Sequence, residues 1–164
     1  HSIRKYTDAD ISDQDLQTIL QAGLLSASGR AVRPWEFIVV RNKETLQKMS
    51  GSRVGAAKML ENANAAIVVI ADESKTDVWV EDCSIAMSNM HLAASTLGIG
   101  SCWIQGRLRM TPDDTTTEDY LRDLLGYPAD YRLEATLSLG MPAEEKAQTE
   151  LSALSVDKIH YEKY

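Results

Sequence analysis

The 164 residues are 44% apolar and carry a formal charge of −7 at neutral pH, which suits one folded domain with a full hydrophobic core and argues against disorder. That acidic balance excludes a nucleic-acid groove or an anionic membrane surface as the main partner, since either requires a concentrated basic face. Cys83 and Cys102 lie outside any Cys-x-x-Cys pair, so zinc and dithiol readings fail and a reducing cytoplasm is the expected location.

No signal-like segment opens the sequence, and a chain that begins on His1 instead of methionine is expected to have lost or continued into preceding residues. Ser12 with Asp15 marks a helix start, and Leu16, Ile19, Leu20 and Leu24 follow at helical spacing. Residues 36–40 and 65–71 are β-branched runs of strand length, apolar enough to read as central strands. Between them, 43–49 and 54–60 are expected to be helical, with Leu46, Met49, Met59 and Leu60 available for packing.

Residues 76–97 read as the longest helix, apolar on most of its circumference and capped by Gly98; Glu81, Asp82, Asn89 and His91 within it argue against a membrane span. So apolar a helix needs cover on nearly every side, and part of it is expected to bury itself in a partner subunit. A strand at 101–105, a polar loop, a helix at 118–125 stopped by Gly126 and Pro128, and a strand at 133–139 complete the body. The tail retains Leu151, Leu154, Val156 and Ile159 and is expected to lie along another surface, the partner's being one candidate. Helices clustered around few strands give an α+β layer in a single domain over residues 1–164.

The segment Gly98-Ile-Gly-Ser-Cys-Trp-Ile-Gln-Gly106 joins the long helix to a short strand through two glycines. Residues alone leave two readings open: a helix stop followed by a strand, or a place where a flat ligand lies against bare backbone and takes hydrogen bonds from main-chain N–H groups. A dinucleotide fingerprint is rejected, because Trp103 stands where its third glycine belongs and the glycines precede the strand. No P-loop, no His-Glu-x-x-His and no Gly-x-Ser-x-Gly elbow is present. Ser2 and Arg4, with His1 and Lys5 beside them, offer a hydroxyl and a guanidinium to one phosphate, or form an ordinary solvated terminus. Arg30 and Arg33 flank small residues in a turn-rich loop from Ser26 to Trp35, a composition suited to binding.

In order along the chain, His1-Ser2-Ile3-Arg4, Arg33-Pro34-Trp35-Glu36-Phe37, the helix from Glu81-Asp82-Cys83-Ser84 to Leu97, Gly98 to Gly106, Leu139-Gly140-Met141-Pro142 through Lys146, and His160-Tyr161 resemble the landmarks of the nitroreductase family. The resemblance covers nearly the whole chain. It implies a mostly antiparallel central sheet flanked by helices, a homodimer with its C-terminal tail exchanged between subunits, FMN as cofactor, and NADH or NADPH as co-substrate. His1, Ser2 and Arg4 match the motif contacting the FMN phosphate and ribityl chain. Ser28, Gly29 and Arg30 match a loop reaching the flavin from the second subunit. Trp103, Ile104, Gln105 and Gly106 match the segment along the ring, with the N–H groups of Gln105 and Gly106 facing N5 and O4. Gly55 and Lys58 fall where members place an Asn and a Lys, the glycine lacking the side chain, and Lys146 is a phosphate contact from the far end.

The chemistry so implied is ping-pong reduction of a nitroaromatic, quinone or related small acceptor through the flavin, with no side chain assigned as acid or nucleophile and no metal. The alternatives are a flavin-binding or ligand-binding module without turnover, or a specialised relative such as a dehalogenase, for which residues 107–120 form the one candidate lid.

Overall fold

The computed structural model describes residues 1–147 and 149–164. Four strands, β1 (Trp35–Val40), β2 (Ala65–Asp72), β3 (Gly100–Gln105) and β4 (Tyr131–Gly140), form one sheet in the order β1-β2-β4-β3. Every neighbouring pair is antiparallel, so the mostly antiparallel expectation becomes a wholly antiparallel sheet. Four helices cover it: α1 (Asp13–Leu24), α2 (Lys43–Met49), α3 (Trp79–Thr96) and α4 (Thr117–Leu125).

Alternation along β2 explains the two cores. Ala65, Ile67, Val69 and Ala71 face a cluster with Ile19 of α1 and Met87 and Met90 of α3. Ala66, Val68 and Ile70 face Leu46 and Met49 of α2 and Leu121 of α4. A strand buried on both faces reads as an unbroken apolar run. The same logic corrects β1, expected as a central strand but lying at the sheet's edge, paired with β2 alone. Its faces are covered, with Trp35 and Phe37 in one cluster and Ile38 and Val40 in the other. Apolar sequence reports covered faces, and the open backbone edge leaves no mark in it.

Helix ends follow local chemistry. Ser12 Oγ accepts the Asp15 N–H at 3.0 Å and donates to the Asp15 carboxylate at 2.7 Å, and Thr116 repeats this with Asp119 at 3.0 and 2.6 Å, a reciprocal cap worth about 1 kcal/mol. Gly126, at φ 74°, closes α4. The helix expected at 54–60 is replaced by turns and a short 3-10 segment, Lys58–Asn62. Gly55 at φ +69° turns the backbone out of helical geometry there.

α3 buries Asp82, Cys83, Ala86, Met87, Met90 and Ala94 and leaves Ile85 and Leu92 exposed. Beyond β4 the tail exposes Leu151, Leu154, Val156, Ile159, Tyr161 and Tyr164, and its turns, Leu151–Ala153 and Val156–Lys158, close on local backbone hydrogen bonds. Among the described residues no helix is long and apolar enough to cross a membrane, and no group of three metal-ligating side chains occurs.

Candidate functional site

The chain's opening residues are stitched to the ends of β3 and β4. Ile3 N–H donates to Ser101 O at 2.9 Å, Thr7 N–H to Met141 O at 2.8 Å and Ala143 N–H to Lys5 O at 2.9 Å. Tyr6 is buried beneath this segment, its hydroxyl donating to Ile3 O at 2.8 Å and lying 2.7 Å from Ser138 Oγ, and burial pushes the phenol well above its ordinary range. Two glycines make the docking possible. A Cβ at Gly140 would stand 2.5 Å from the Tyr6 ring, and one at Gly100 2.8 Å from the Ile3 side chain.

This docking brings four expected residues to one end of β3. His1 and Lys146 line a cleft of about 360 Å³ with Gly98, Ser101 and Glu144, and Ser2 and Arg4 adjoin Ile3, which lines it too. Glu144 accepts the Arg4 N–H at 2.8 Å and the Lys146 ammonium at 3.2 Å, contacts that hold its carboxyl below the usual range. The Arg4 guanidinium is exposed and meets no carboxylate among the described residues. His91 Nδ1 lies 2.6 Å from Ser101 Oγ, and burial lowers its pKa, favouring the neutral ring.

Along β3 the hydrogen-bond alternation decides which amides are free. Gly106 and Arg107 N–H both donate to Glu134 O, at 3.2 and 2.9 Å, whereas Ser101 O receives Ile3 from outside the sheet. In an antiparallel ladder this parity turns the N–H groups of Trp103 and Gln105 to the open edge and that of Ile104 inward. Gln105 therefore presents an outward donor, whereas the Gly106 N–H shares Glu134 O with the Arg107 N–H and the Gln105 side chain. Gly106 is needed for another reason, since its Cβ would come within 2.5 Å of buried Leu133. The Gln105 side chain is held between Trp103 Nε1, donating at 2.8 Å, and Glu134 O, accepting at 3.3 Å.

The loop at 28–33 is anchored to the start of α3. Gly29 N–H donates to the buried Asp82 carboxylate at 2.8 Å, and Ser28 Oγ accepts Arg33 N–H at 2.9 Å. Arg30, Ala31 and Arg33 all have φ near +50°, a strained geometry for residues with side chains. Gly55 and Lys58 lie on the turns between α2 and β2. Their loop is tied to Met110 through Val54 N–H, at 3.1 Å, and Lys58 pairs with Glu61 at 3.2 Å. The 107–120 segment, offered as a lid, is pinned: Thr117 N–H donates to Arg109 O and Thr117 Oγ1 to Ser52 O.

A model of the nitroreductase family matches residues 1–56 and 51–141. A protein of Archaeoglobus fulgidus named NADH dehydrogenase/NAD(P)H nitroreductase is 44% identical over 168 residues, covering 99% of this chain and 93% of that protein. The chain belongs to the nitroreductase family. Among solved structures, an FMN-dependent nitroreductase of Clostridium difficile superposes with a TM-score of 0.97 at 45% identity, covering 100% of this chain and 95% of that one. The NADPH:FMN oxidoreductase of Vibrio harveyi, solved with NAD+, superposes with a TM-score of 0.80 at 26% identity, covering 100% and 74%.

Two buried acids of this nitroreductase-family site escaped sequence reasoning. Glu134 is the unopposed residue of a bulge in β4, where the register with β2 slips between Val69 and Ile70. Its Oε1 accepts from Ser84 Oγ at a long 3.4 Å, its Oε2 has no partner among the described residues, and burial raises its pKa. Asp82 gives one oxygen to Gly29, and its Oδ2 has no partner among the described residues. Glu134 was visible as a lone acid in an apolar strand, and Asp82 as half of the Glu81-Asp82 pair at the start of an apolar helix. Neither lies at a spacing that names a motif.

Proposed function

We propose that the chain is a single-domain, FMN-dependent NAD(P)H oxidoreductase that reduces nitroaromatic, quinone or related small acceptors by a ping-pong route, and that it works as a homodimer with exchanged C-terminal tails. The observation that carries this reading is the open edge of β3, with outward amides at Trp103 and Gln105 and an unpaired guanidinium at Arg4 by its far end.

The donor set suits FMN. Strand rise separates Gly100 from Gln105 by roughly 17 Å, room for a fused ring, a ribityl chain and a phosphate laid end to end. When bound, FMN supplies hydride acceptance from a nicotinamide and hydride donation to an acceptor. The chain's own part is to bind and orient. Arg4 and Ser2 would hold the phosphate, with Lys146 weaker there because Glu144 already engages its ammonium. Gln105 N–H would donate to the ring edge, and its side chain, fixed by Trp103 and Glu134, keeps that amide in place. Preorganised donors of this kind favour negative charge on the ring edge. Ser28, Gly29 and Arg30, rigid on Asp82, would meet the flavin of the other subunit, and Lys58 would act across the same interface.

The visible spectrum of purified protein, followed by initial rates of NADH and NADPH oxidation with a quinone or a nitroaromatic, tests the reading. Flavin bands and parallel double-reciprocal lines are expected. Colourless protein that refuses added FMN would overturn it, and yellow protein without turnover would establish a binding module instead.

A further inference from the structure

At the other end of β3, a second cleft of about 670 Å³ opens directly from Gly106. Its charges are unevenly spent. Arg132 is clamped between Glu73 at 2.7 Å and Glu118 at 3.1 Å, and Asp119 is engaged by Arg122. The acids of the cleft therefore already have cations. Arg107 and Arg109 also line it, and neither meets a carboxylate within ion-pair distance among the described residues. Arg109 Nη1 donates to the neighbouring Leu108 O at 2.9 Å, and the Arg107 guanidinium lies over the Trp79 ring, 5.7 Å from its centroid, a stacking that orients the charge without neutralising it. Glu134 is an acid near Arg107: burial raises its pKa and the Arg107 charge lowers it, but no ion pair forms between them. At the amino end of α4, Thr116 Oγ1 accepts the Asp119 N–H and the Thr117 N–H donates to Arg109 O.

The apolar part of the lining is equally exposed. Leu108 is 77% accessible and Met110 43%. Leu108 is held at φ 56°, while Arg109 N–H donates to Gly106 O at 3.1 Å and Met110 bridges Thr116. Apolar side chains and two guanidinium groups that form no ion pair among the described residues thus stand beside the residue that follows Gln105.

We propose that this cleft receives the electron acceptor and selects a flat aromatic or quinoid ring bearing a carboxylate, the ring against Leu108 and Met110 and the carboxylate on Arg107 and Arg109. The inference rests on the flavin reading above, since only that reading makes the end of β3 the place of electron transfer. Arginine suits the task because its planar fork matches a carboxylate in two parallel hydrogen bonds.

The test uses the FMN-loaded protein and two paired comparisons. Isothermal titration with benzoate and with benzamide, redox-inert probes of similar shape, is expected to show benzoate bound about tenfold tighter, with the preference shrinking in high salt. R107Q/R109Q should abolish the preference while leaving FMN content unchanged. In turnover, 4-nitrobenzoate should surpass nitrobenzene in kcat/KM for wild type, and the ratio should fall about tenfold in the double variant through KM. Equal binding of benzoate and benzamide, or a preference that survives the double substitution, would overturn the proposal. A double variant that instead loses discrimination between NADPH and NADH would assign the arginines to the nucleotide's phosphate and overturn it as well. Failure of the underlying reading looks different: no flavin is retained and no acceptor is reduced, whatever its charge.

Discussion

Arg4 and Lys146 differ in what their charges already do. Lys146 spends part of its charge on Glu144, whereas Arg4 offers Glu144 only its backbone N–H and keeps the guanidinium free. R4A should therefore weaken FMN binding about tenfold, as expected for a charge-assisted contact to a phosphate, and K146A should weaken it less. Fluorescence titration of the flavin-free protein measures both, and equal losses would contradict this division of labour. Glu134 makes a second residue-scale prediction. A carboxyl that holds its proton more tightly in the folded chain stabilises it fully below its unfolded pKa of about 4.3, and that contribution is lost as pH rises through the higher folded value. E134Q should match wild type in urea midpoint near pH 4 and exceed it at pH 8. Parallel pH profiles for the two proteins would show that burial does not penalise this charge. Cys83, whose thiol burial pushes up to about 12, should resist alkylation in the native state.

At the scale of elements, the edge of β3 is where a ligand is proposed to bind, and its glycines serve the packing of its faces. G106A should place a methyl against Leu133 and cost about 1–3 kcal/mol of stability, whether or not flavin is present; a loss confined to flavin affinity would return Gly106 to the ligand. G140A, which drives a methyl into the Tyr6 ring, should loosen the opening segment and reduce FMN affinity by displacing Arg4. Periodicity made α1, α4 and β2 readable, because each obeys one spacing between recognisable caps or turns. It failed at 54–60, where apolar residues at helical spacing fill a core from a chain turned by Gly55, and it misplaced β1, whose covered faces hide an open edge. Of the site, the glycine-flanked β3 and the Ser2-Arg4 pair were legible as residue types. The parity of β3, which frees the Gln105 amide and occupies that of Gly106, depends on its register with β4, and register across 29 residues is a tertiary fact that no local pattern encodes.

At the scale of the whole molecule, the dimer proposed above would bring the exposed apolar surfaces together. Ile85 and Leu92 on α3 and the apolar residues from Leu151 to Tyr161 are exposed, more than a tail closed on its own hydrogen bonds can hide. Sedimentation equilibrium is expected to give twice the 18.1 kDa chain mass, and truncation after Glu150 should release monomers and bound flavin together. A truncated chain that still sediments as a dimer would separate tail from assembly. The strand order has a further effect, on biosynthesis. β4 bridges β2 and β3 yet comes last of the four along the polypeptide, so a nascent chain on the ribosome carries β3 with no strand beside it until residue 140 has emerged. Tyr6 must wait as well, because it settles on Ser138, Gly140 and Pro142. Docking of the segment around Tyr6 is thereby tied to completion of the sheet, and a stalled translation product lacking β4 should be a target for proteolysis.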